Sequence, residues 1–247
     1  MPLSVAPSLA SPAVRPPQGC DVDVWDIDLD TAPADAITLL DDAERARAQA
    51  FVHSHHRQRY IAAHAAMRRV LGRYLGVPPK VLQFDLGPYG KPALQQTPGT
   101  PSLHFNLSHS GNRALLAVGG CQPLGVDLEA VRPGVPDPAL TALVLTQDER
   151  RQYDELPPAQ RTLAFFSLWA RKEACMKAVG LGLALEPGSL HVGLDLAPQS
   201  LQIPPSADRI ELTVLHGPDG FAAALAVEGG IGRITRHRLD SACGSWH

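Results

Sequence analysis

One feature most restricts how this chain can fold. It is a short strand with two acidic residues, followed by a long helix with a third acidic residue and a lysine. In residues 124–128, apolar residues and glycine alternate as in a β-strand, so Asp127 and Glu129 project from the same side of it. Residues 162–179 have helical spacing and no internal glycine or proline, which places Glu173 and Lys177 one turn apart on one face. If strand and helix pack together, three carboxylates and an ammonium group meet.

Such a grouping requires a cation, because close carboxylates repel one another and raise each other's pKa. Mg²⁺ prefers oxygen ligands and is usually held by a few carboxylates together with the phosphates of a substrate. We therefore predict that Asp127, Glu129 and Glu173 bind magnesium and that Lys177 faces a phosphate oxygen. Taken separately, the same residues have simpler interpretations, namely a solvated strand edge and an ordinary ion pair on a helix surface.

Composition and charge exclude several classes of protein. The chain has 247 residues, 45% of them hydrophobic, and a net charge of −3 without a basic block, so neither nucleic acid nor an anionic membrane is an expected partner. No apolar run has the length of a membrane span, and no secretory signal is evident. The four scattered cysteines have no CxxC spacing, which favours reduced thiols and a cytoplasmic protein.

The predicted elements follow the order strand, helices, strands twice, which suggests a structural duplication. We divide the chain into a disordered Pro/Ala-rich leader (1–19), an N-terminal lobe (20–122), a C-terminal lobe (123–228) and a tail (229–247) that we expect to fray. The predicted strands are 21–29, 81–84, 103–107, 114–118, 124–129, 189–194, 209–215 and 221–227. The predicted helices are 41–51, 57–75, 138–143, 147–156 and 162–179.

Two further groups of residues invite other chemistry. The histidines at positions 53, 55, 56 and 64 suggest zinc, but no cysteine or catalytic motif accompanies them, so histidines near an anionic ligand are the favoured interpretation. Ser108 and His109 could be a hydrolase nucleophile and base. No Gly-x-Ser-x-Gly elbow surrounds the serine, and the turn they occupy is also suited to binding an anion.

Three motifs in this order resemble the 4′-phosphopantetheinyl transferase superfamily, in particular its larger, Sfp-type members. They are FNLSHSG at residues 105–111, GVDLE at residues 125–129, and the run from Trp169 to Lys177 followed by GLGL at residues 180–183. A Gly-Lys-Pro turn at residues 90–92 also matches. The resemblance implies an α+β fold of two similar lobes with the active site in the cleft between them, a boundary near residues 119–123, and a monomer.

The resemblance also implies the reaction and the residues that perform it. The phosphopantetheine group of coenzyme A would be transferred to a serine of an acyl or peptidyl carrier protein, releasing 3′,5′-adenosine bisphosphate. Asp127, Glu129 and Glu173 would bind Mg²⁺ with the pyrophosphate, and Lys177 would contact the phosphate under attack. The other coenzyme A contacts would be Ser108, His109, Lys91, Arg47 and Arg59. Glu44 stands where relatives often have a lysine, which leaves Arg45, Arg47 and Arg59 as candidates for the ribose 3′-phosphate.

Some alternatives stay open at the level of sequence. The proton of the attacking serine could go to Glu173 or to a metal-bound water. The same carboxylates and lysine would also serve a magnesium-dependent pyrophosphohydrolase, or a protein that binds coenzyme A or carriers without turnover. We expect the carrier to dock near residues 132–138 and the helices that follow them.

Overall fold

The computed structural model describes residues 14–95, 99, 102–134 and 136–239, which form a mixed α+β fold. The strands are β1 (Val22–Asp28), β2 (Phe84–Leu86), β3 (Pro92–Leu94), β4 (His104–Ser110), β5 (Arg113–Gly119), β6 (Leu124–Ala130), β7 (Gln199–Leu201), β8 (Ile210–Leu215), β9 (Phe221–Glu228) and β10 (Ile234–Leu239). The helices are α1 (Asp42–Gln49), α2 (Ser54–Leu75), α3 (Pro138–Val144), α4 (Gln147–Glu155) and α5 (Pro158–Ala178).

Two four-stranded sheets form the centre of the described chain. The first has the strand order β10-β1-β5-β4 and the second the order β6-β9-β8-β7, while β2 and β3 form a separate hairpin. All pairings are antiparallel except that of β1 with β10. The edge strand of each sheet, β4 in the first and β6 in the second, meets the other where the two sheets join.

Among the described residues, side chains that alternate along the strands contribute to three of the four apolar clusters. Val24 and Leu115 of the first sheet pack against Val126 and Leu225 of the second, so the sheets share an inner core. The opposite face of the first sheet packs against α2, and that of the second sheet packs against α5. Each sheet is thus covered by one long helix, an arrangement that leaves the junction of β4 and β6 as the meeting point of both halves.

The long helix α5 ends where its sequence predicts. Gly180 has a φ of 75°, the left-handed conformation that suits glycine, and the Leu181 N–H donates to the carbonyl of Met176. The turn at Gly180 therefore ends α5 one residue after Lys177.

Two of the strand predictions differ from the structure. The prediction of a strand over 189–194 was wrong, because this segment is irregular apart from a short 3₁₀ turn at Pro187–Ser189. The N–H groups of Val192 and Gly193 donate to the Glu149 carboxylate instead of to a neighbouring strand. The strand predicted at 81–84 is displaced: Pro79–Val81 forms a 3₁₀ turn and β2 begins at Phe84.

The structure describes only part of the predicted leader and part of the predicted tail. Residues 1–13 of the predicted leader and residues 240–247 of the predicted tail lie outside the described residues. Within the tail, Ile234–Leu239 does not fray but forms β10, which pairs with β1 over six residues from Val22 to Ile27. No helix in the described ranges combines the length and apolarity needed to cross a membrane.

Candidate active site

The close approach of β6 and α5 builds the site, and Gly125 makes that approach feasible. A Cβ atom at Gly125 would lie 2.1 Å from the Ala174 carbonyl oxygen and 2.5 Å from the Ala178 nitrogen, distances that no real side chain tolerates. Because glycine lets the helix backbone rest on the strand, Glu173 and Lys177 come to face the acidic side of β6. The GVDLE motif therefore contains a packing requirement as well as two carboxylates.

Lys177 lies among the carboxylates. Its Nζ is 2.5 Å from Asp127 Oδ1 and 4.0 Å from Glu173 Oε2, and it also donates to the Ser108 hydroxyl at 3.1 Å. Asp127 is buried, whereas the Lys177 side chain is 25% exposed. The structure thus brings together the predicted strand and helix residues and leaves the Lys177 side chain partly exposed.

Glu129 is held at both of its oxygens. Trp169 Nε1 donates to Oε1 at 2.9 Å, and the Ser110 hydroxyl donates to Oε2 at 3.1 Å. The sequence analysis did not identify this polar contact of Trp169. An indole N–H four residues before Glu173 on the same helix could have indicated this contact, because positions four apart share a face.

The electrostatics of the cluster favour an additional cation. Burial, followed by the charge of Asp127, raises the pKa of Glu129. Burial also raises the pKa of Glu173; Lys177 lowers it in part, and the charges of Asp127 and Glu129 raise it further. Asp127 Oδ2 is buried and accepts no hydrogen bond from the described residues.

In the part of the chain that the structure describes, no three His, Cys, Asp or Glu side chains are arranged to hold a metal ion as they stand. The donor set nevertheless fits a hard cation, since it offers carboxylate oxygens and one of them, Asp127 Oδ2, is buried without a partner. The residues that could hold such an ion are Asp127, Glu129 and Glu173, with Lys177 beside them.

Ser108 and His109 are neighbours on β4 but lie in different surroundings. The buried Ser108 hydroxyl donates to Asp127 Oδ1 at 2.8 Å. His109 is exposed on the opposite side of the strand, yet the surrounding protein and the charges of His64, Lys177 and His56 lower its pKa. Ser108 therefore belongs to the carboxylate cluster, and His109 faces the histidines of α2.

Lys91 has its ammonium group inside the protein. Its Nζ donates to the carbonyl oxygens of Leu124, Lys177 and Ala178 at 2.9, 2.7 and 3.3 Å. Burial lowers its pKa to about 8, and the charge of Glu228 offsets this effect only in part. Lys91 thus ties the loop before β3 to the start of β6 and the end of α5.

The two predicted arginines lie on the first two helices. The guanidinium of Arg47 stacks over the ring of Phe51 at 5.8 Å, and its side chain is exposed. Arg59 pairs with Asp30 at 3.0 Å and lines a cavity of about 490 Å³ between α2 and the loop after β1. Unlike the ammonium group of Lys91, which lies inside the protein, these guanidinium groups lie at the surface or at a cavity wall.

Glu44, which departs from the expected lysine, has a structural role. It completes a capping box with Asp41 at the start of α1, receives a bond from Arg68 Nε at 2.6 Å, and lies 2.9 Å from His64 Nδ1. Burial alone would raise its pKa, but the bonds from His64 and the Asp41 N–H and the charge of Arg68 lower it overall. A lysine here would face the buried Arg68 guanidinium, so the acid is required by its partner.

Lys172 does not reach the cluster, although it adjoins Glu173. Its Nζ donates to Glu149 Oε2 at 2.6 Å and to the carbonyls of Val144 and Pro187, and both side chains of the pair are fully buried. Adjacent helical residues point about 100° apart, which is the signal that separates Lys172 from the face of Glu173 and Lys177.

Two family models match the chain. The 4′-phosphopantetheinyl transferase superfamily model matches residues 123–226, and a model of the N-terminal part of 4′-phosphopantetheinyl transferases matches residues 30–120. The chain is 37% identical to the 4′-phosphopantetheinyl transferase HetI of Nostoc sp. over 214 residues, covering 85% of this chain and 88% of the relative.

Other similarities are weaker. The 4′-phosphopantetheinyl transferase Sfp of Bacillus subtilis is 29% identical over 193 residues, which cover 76% of this chain and 82% of that protein. The crystal structure of the holo-[acyl-carrier-protein] synthase of Thermotoga maritima matches with 23% identity and a TM-score of 0.28, covering 44% of this chain and 64% of the other. A TM-score this low says nothing about the arrangement of the elements.

Proposed function

Since the chain belongs to the 4′-phosphopantetheinyl transferase superfamily and is an enzyme that transfers phosphopantetheine to carrier proteins, we propose that coenzyme A is its donor and Mg²⁺ its metal. The hydroxyl of a carrier serine would form a bond to the phosphorus attached to pantetheine. The bond from that phosphorus to the bridging oxygen would break, and 3′,5′-adenosine bisphosphate would leave.

The arrangement around Lys177 is the observation that carries this proposal. The ammonium group of the partly exposed Lys177 side chain lies beside Asp127 and Glu173, next to a buried carboxylate oxygen that has no partner among the described residues. A pyrophosphate needs both kinds of group, because its negative oxygens require a fixed positive charge and a metal held by carboxylates. The cluster offers both at the junction of the two sheets.

The chain's own residues would divide the work as follows. Asp127, Glu129 and Glu173 would hold Mg²⁺, which when bound neutralises charge on the phosphate oxygens during the displacement. Lys177 would bind an oxygen of the phosphate under attack and stabilise the charge that develops on the leaving side. Glu173 would accept the serine proton, a role that its raised pKa supports, since burial and its acidic neighbours raise that pKa.

Coenzyme A would extend from this cluster towards the first half of the chain. We propose that His109 binds the coenzyme beyond the pyrophosphate, and that Arg47 and Arg59 are available for the ribose 3′-phosphate. The imidazole groups of His56 and His64 near His109 support this direction. We also propose two pseudo-duplicated lobes, residues 20–122 and 123–228, with the substrate in the cleft between them, and a monomeric enzyme in the cytoplasm.

Intact-mass analysis tests the proposal directly. Purified protein is incubated with coenzyme A, Mg²⁺ and a panel of apo carrier proteins, with EDTA and a carrier lacking the acceptor serine as controls. We expect one carrier to gain the mass of phosphopantetheine only when metal and serine are both present. Hydrolysis of coenzyme A without carrier modification would instead identify a pyrophosphohydrolase, and a bound but intact coenzyme would identify a non-catalytic binder.

A further inference from the structure

The junction between the two sheets is closed by side chains of β4. The N–H groups of Val126, Leu128 and Ala130 on β6 donate to side-chain oxygens of Asn106, Ser108 and Ser110, respectively, at 2.8, 3.3 and 3.0 Å. Both sets of residues are spaced by two, the repeat that places side chains on one side of a strand. The N–H groups at this edge of β6 are thus satisfied by a ladder of three rungs, which we call the seam ladder.

Two of the three rungs also hold a carboxylate. Ser108 donates to Asp127 Oδ1 at 2.8 Å, and Ser110 donates to Glu129 Oε2 at 3.1 Å. Each serine therefore bonds the backbone of β6 and an acidic side chain of the same strand. The Asn106 rung accepts the Val126 N–H and contacts no carboxylate of the cluster.

The hydrogen-bonding capacity of Ser108 is fully used. A hydroxyl group has one hydrogen to donate and two lone pairs to accept with. Ser108 donates its hydrogen to Asp127 and accepts from the Leu128 N–H and from Lys177 Nζ at 3.1 Å. The hydrogen of Ser108 is thus directed at a carboxylate, and Ser110 likewise donates its hydrogen to Glu129.

We propose that Ser108 and Ser110 are positioning residues, which fix Asp127 and Glu129 for the metal, while Asn106 only joins the two sheets. The inference rests on the proposed metal site. Both serines are buried, and each donates a hydrogen bond to one carboxylate. This suits the role, because a carboxylate held by such a bond presents its remaining lone pairs in a fixed direction.

Binding measurements on the full chain test the inference without turnover. Mn²⁺ is titrated into the protein with saturating coenzyme A and no carrier, and free Mn²⁺ is read by its EPR signal. Coenzyme A is titrated separately in EDTA, so that every variant is measured at a saturating concentration of it. Thermal unfolding reports whether each variant is folded.

Ser110→Ala should raise the Kd for Mn²⁺ about 10-fold, the lower end of the effect of losing a hydrogen-bond partner of a metal ligand. Ser110→Thr, which keeps the hydroxyl, should restore most of the affinity. Ser108→Ala should also weaken Mn²⁺ binding when coenzyme A is saturating. The matched control Asn106→Ala should lower Tm by about 2–4 °C, as expected for one lost hydrogen bond, with the Mn²⁺ affinity of the parent chain.

The outcomes separate this inference from the proposed function. If the parent chain binds no Mn²⁺ in the presence of coenzyme A, the metal site itself is wrong, and the inference is overturned with it. If the parent binds Mn²⁺ and Ser110→Ala binds it equally well, or Asn106→Ala weakens it as much, only the positioning role is overturned.

Discussion

Helix α5 carries two lysines five residues apart, and they differ in how completely the hydrogen-bonding groups around them are satisfied. Lys172 has three oxygen acceptors, and its partner Glu149 also accepts the N–H groups of Thr146, Val192 and Gly193. Lys177 is partly exposed, and the Asp127 carboxylate that it contacts keeps one buried oxygen without a partner in the described chain. The Lys172–Glu149 pair thus has its hydrogen-bonding groups satisfied, whereas, within the described ranges, the Lys177–Asp127 pair keeps an unsatisfied oxygen.

The difference separates a structural ion pair from a reactive one. In the buried pair, hydrogen bonds from Lys172 and from backbone N–H groups lower the pKa of Glu149 in spite of its burial. In the open cluster, burial and neighbouring carboxylates raise the pKa of Glu129 and Glu173. The protein does not fully offset the repulsion among these carboxylates. A metal ion that binds together with a phosphate can offset it.

Removing Lys172 should produce the largest effect on stability. Lys172→Met leaves the Glu149 carboxylate buried without its cation, which typically costs about 3–5 kcal/mol of unfolding free energy. Urea denaturation measures the loss, with Lys80→Met, a change at an exposed lysine, as the matched control. An unfolding midpoint equal to that of the parent chain would show that the pair does not hold this part of the fold.

Neutralising Glu173 should affect the reaction and spare the fold. Glu173→Gln keeps the shape of the side chain but removes a charge needed for the metal, so we expect kcat/KM to fall about 100- to 1000-fold, or roughly 2.7–4 kcal/mol. The unfolding free energy should stay the same or rise, because a repelling charge is removed. The exposed Glu155→Gln is the control, and normal turnover of Glu173→Gln at limiting Mg²⁺ would contradict the metal assignment.

How far sequence predicts this site depends on whether its contacts are local. The alternation in β6 and the four-residue spacing of Glu173 and Lys177 are local patterns, and the structure brings these residues together as expected. The roles of Ser110 and Asn106 depend on β4 lying beside β6, which a repeat of two residues does not specify.

The error at residues 189–194 has the same origin. Leu190 and Val192 are buried at alternate positions, as they would be in a strand, but here they pack into the core around α5 from an irregular segment. That segment is shaped by Glu149, whose carboxylate takes two of its N–H groups. The alternation predicted the burial of these side chains correctly. It could not predict that the backbone N–H groups bond to a residue more than 40 positions away.

Lys91 falls between the two lysines of α5, since its ammonium group has three acceptors but no carboxylate partner among its hydrogen bonds. Lys91→Met would leave carbonyls at the end of α5 and the start of β6 without their donor, with an expected loss of about 1–2 kcal/mol at pH 7.5. If Lys91 acts only as this clamp, KM for coenzyme A stays unchanged. A raised KM at unchanged stability would favour the contact with the nucleotide that the resemblance implies.

The pH dependence of the same variant gives a smaller but more specific signal. The pKa of Lys91 is lowered to about 8, below that of roughly 10.4 in an unfolded chain. Between these values the unfolded state binds more protons than the folded state, so the Lys91 contribution to stability increases as pH rises from about 8 towards 10. Denaturation of the parent chain and Lys91→Met at several pH values should therefore show a difference that widens with pH. A constant difference would mean that Lys91 titrates alike in both states, and its amine would then be as well solvated as a surface lysine.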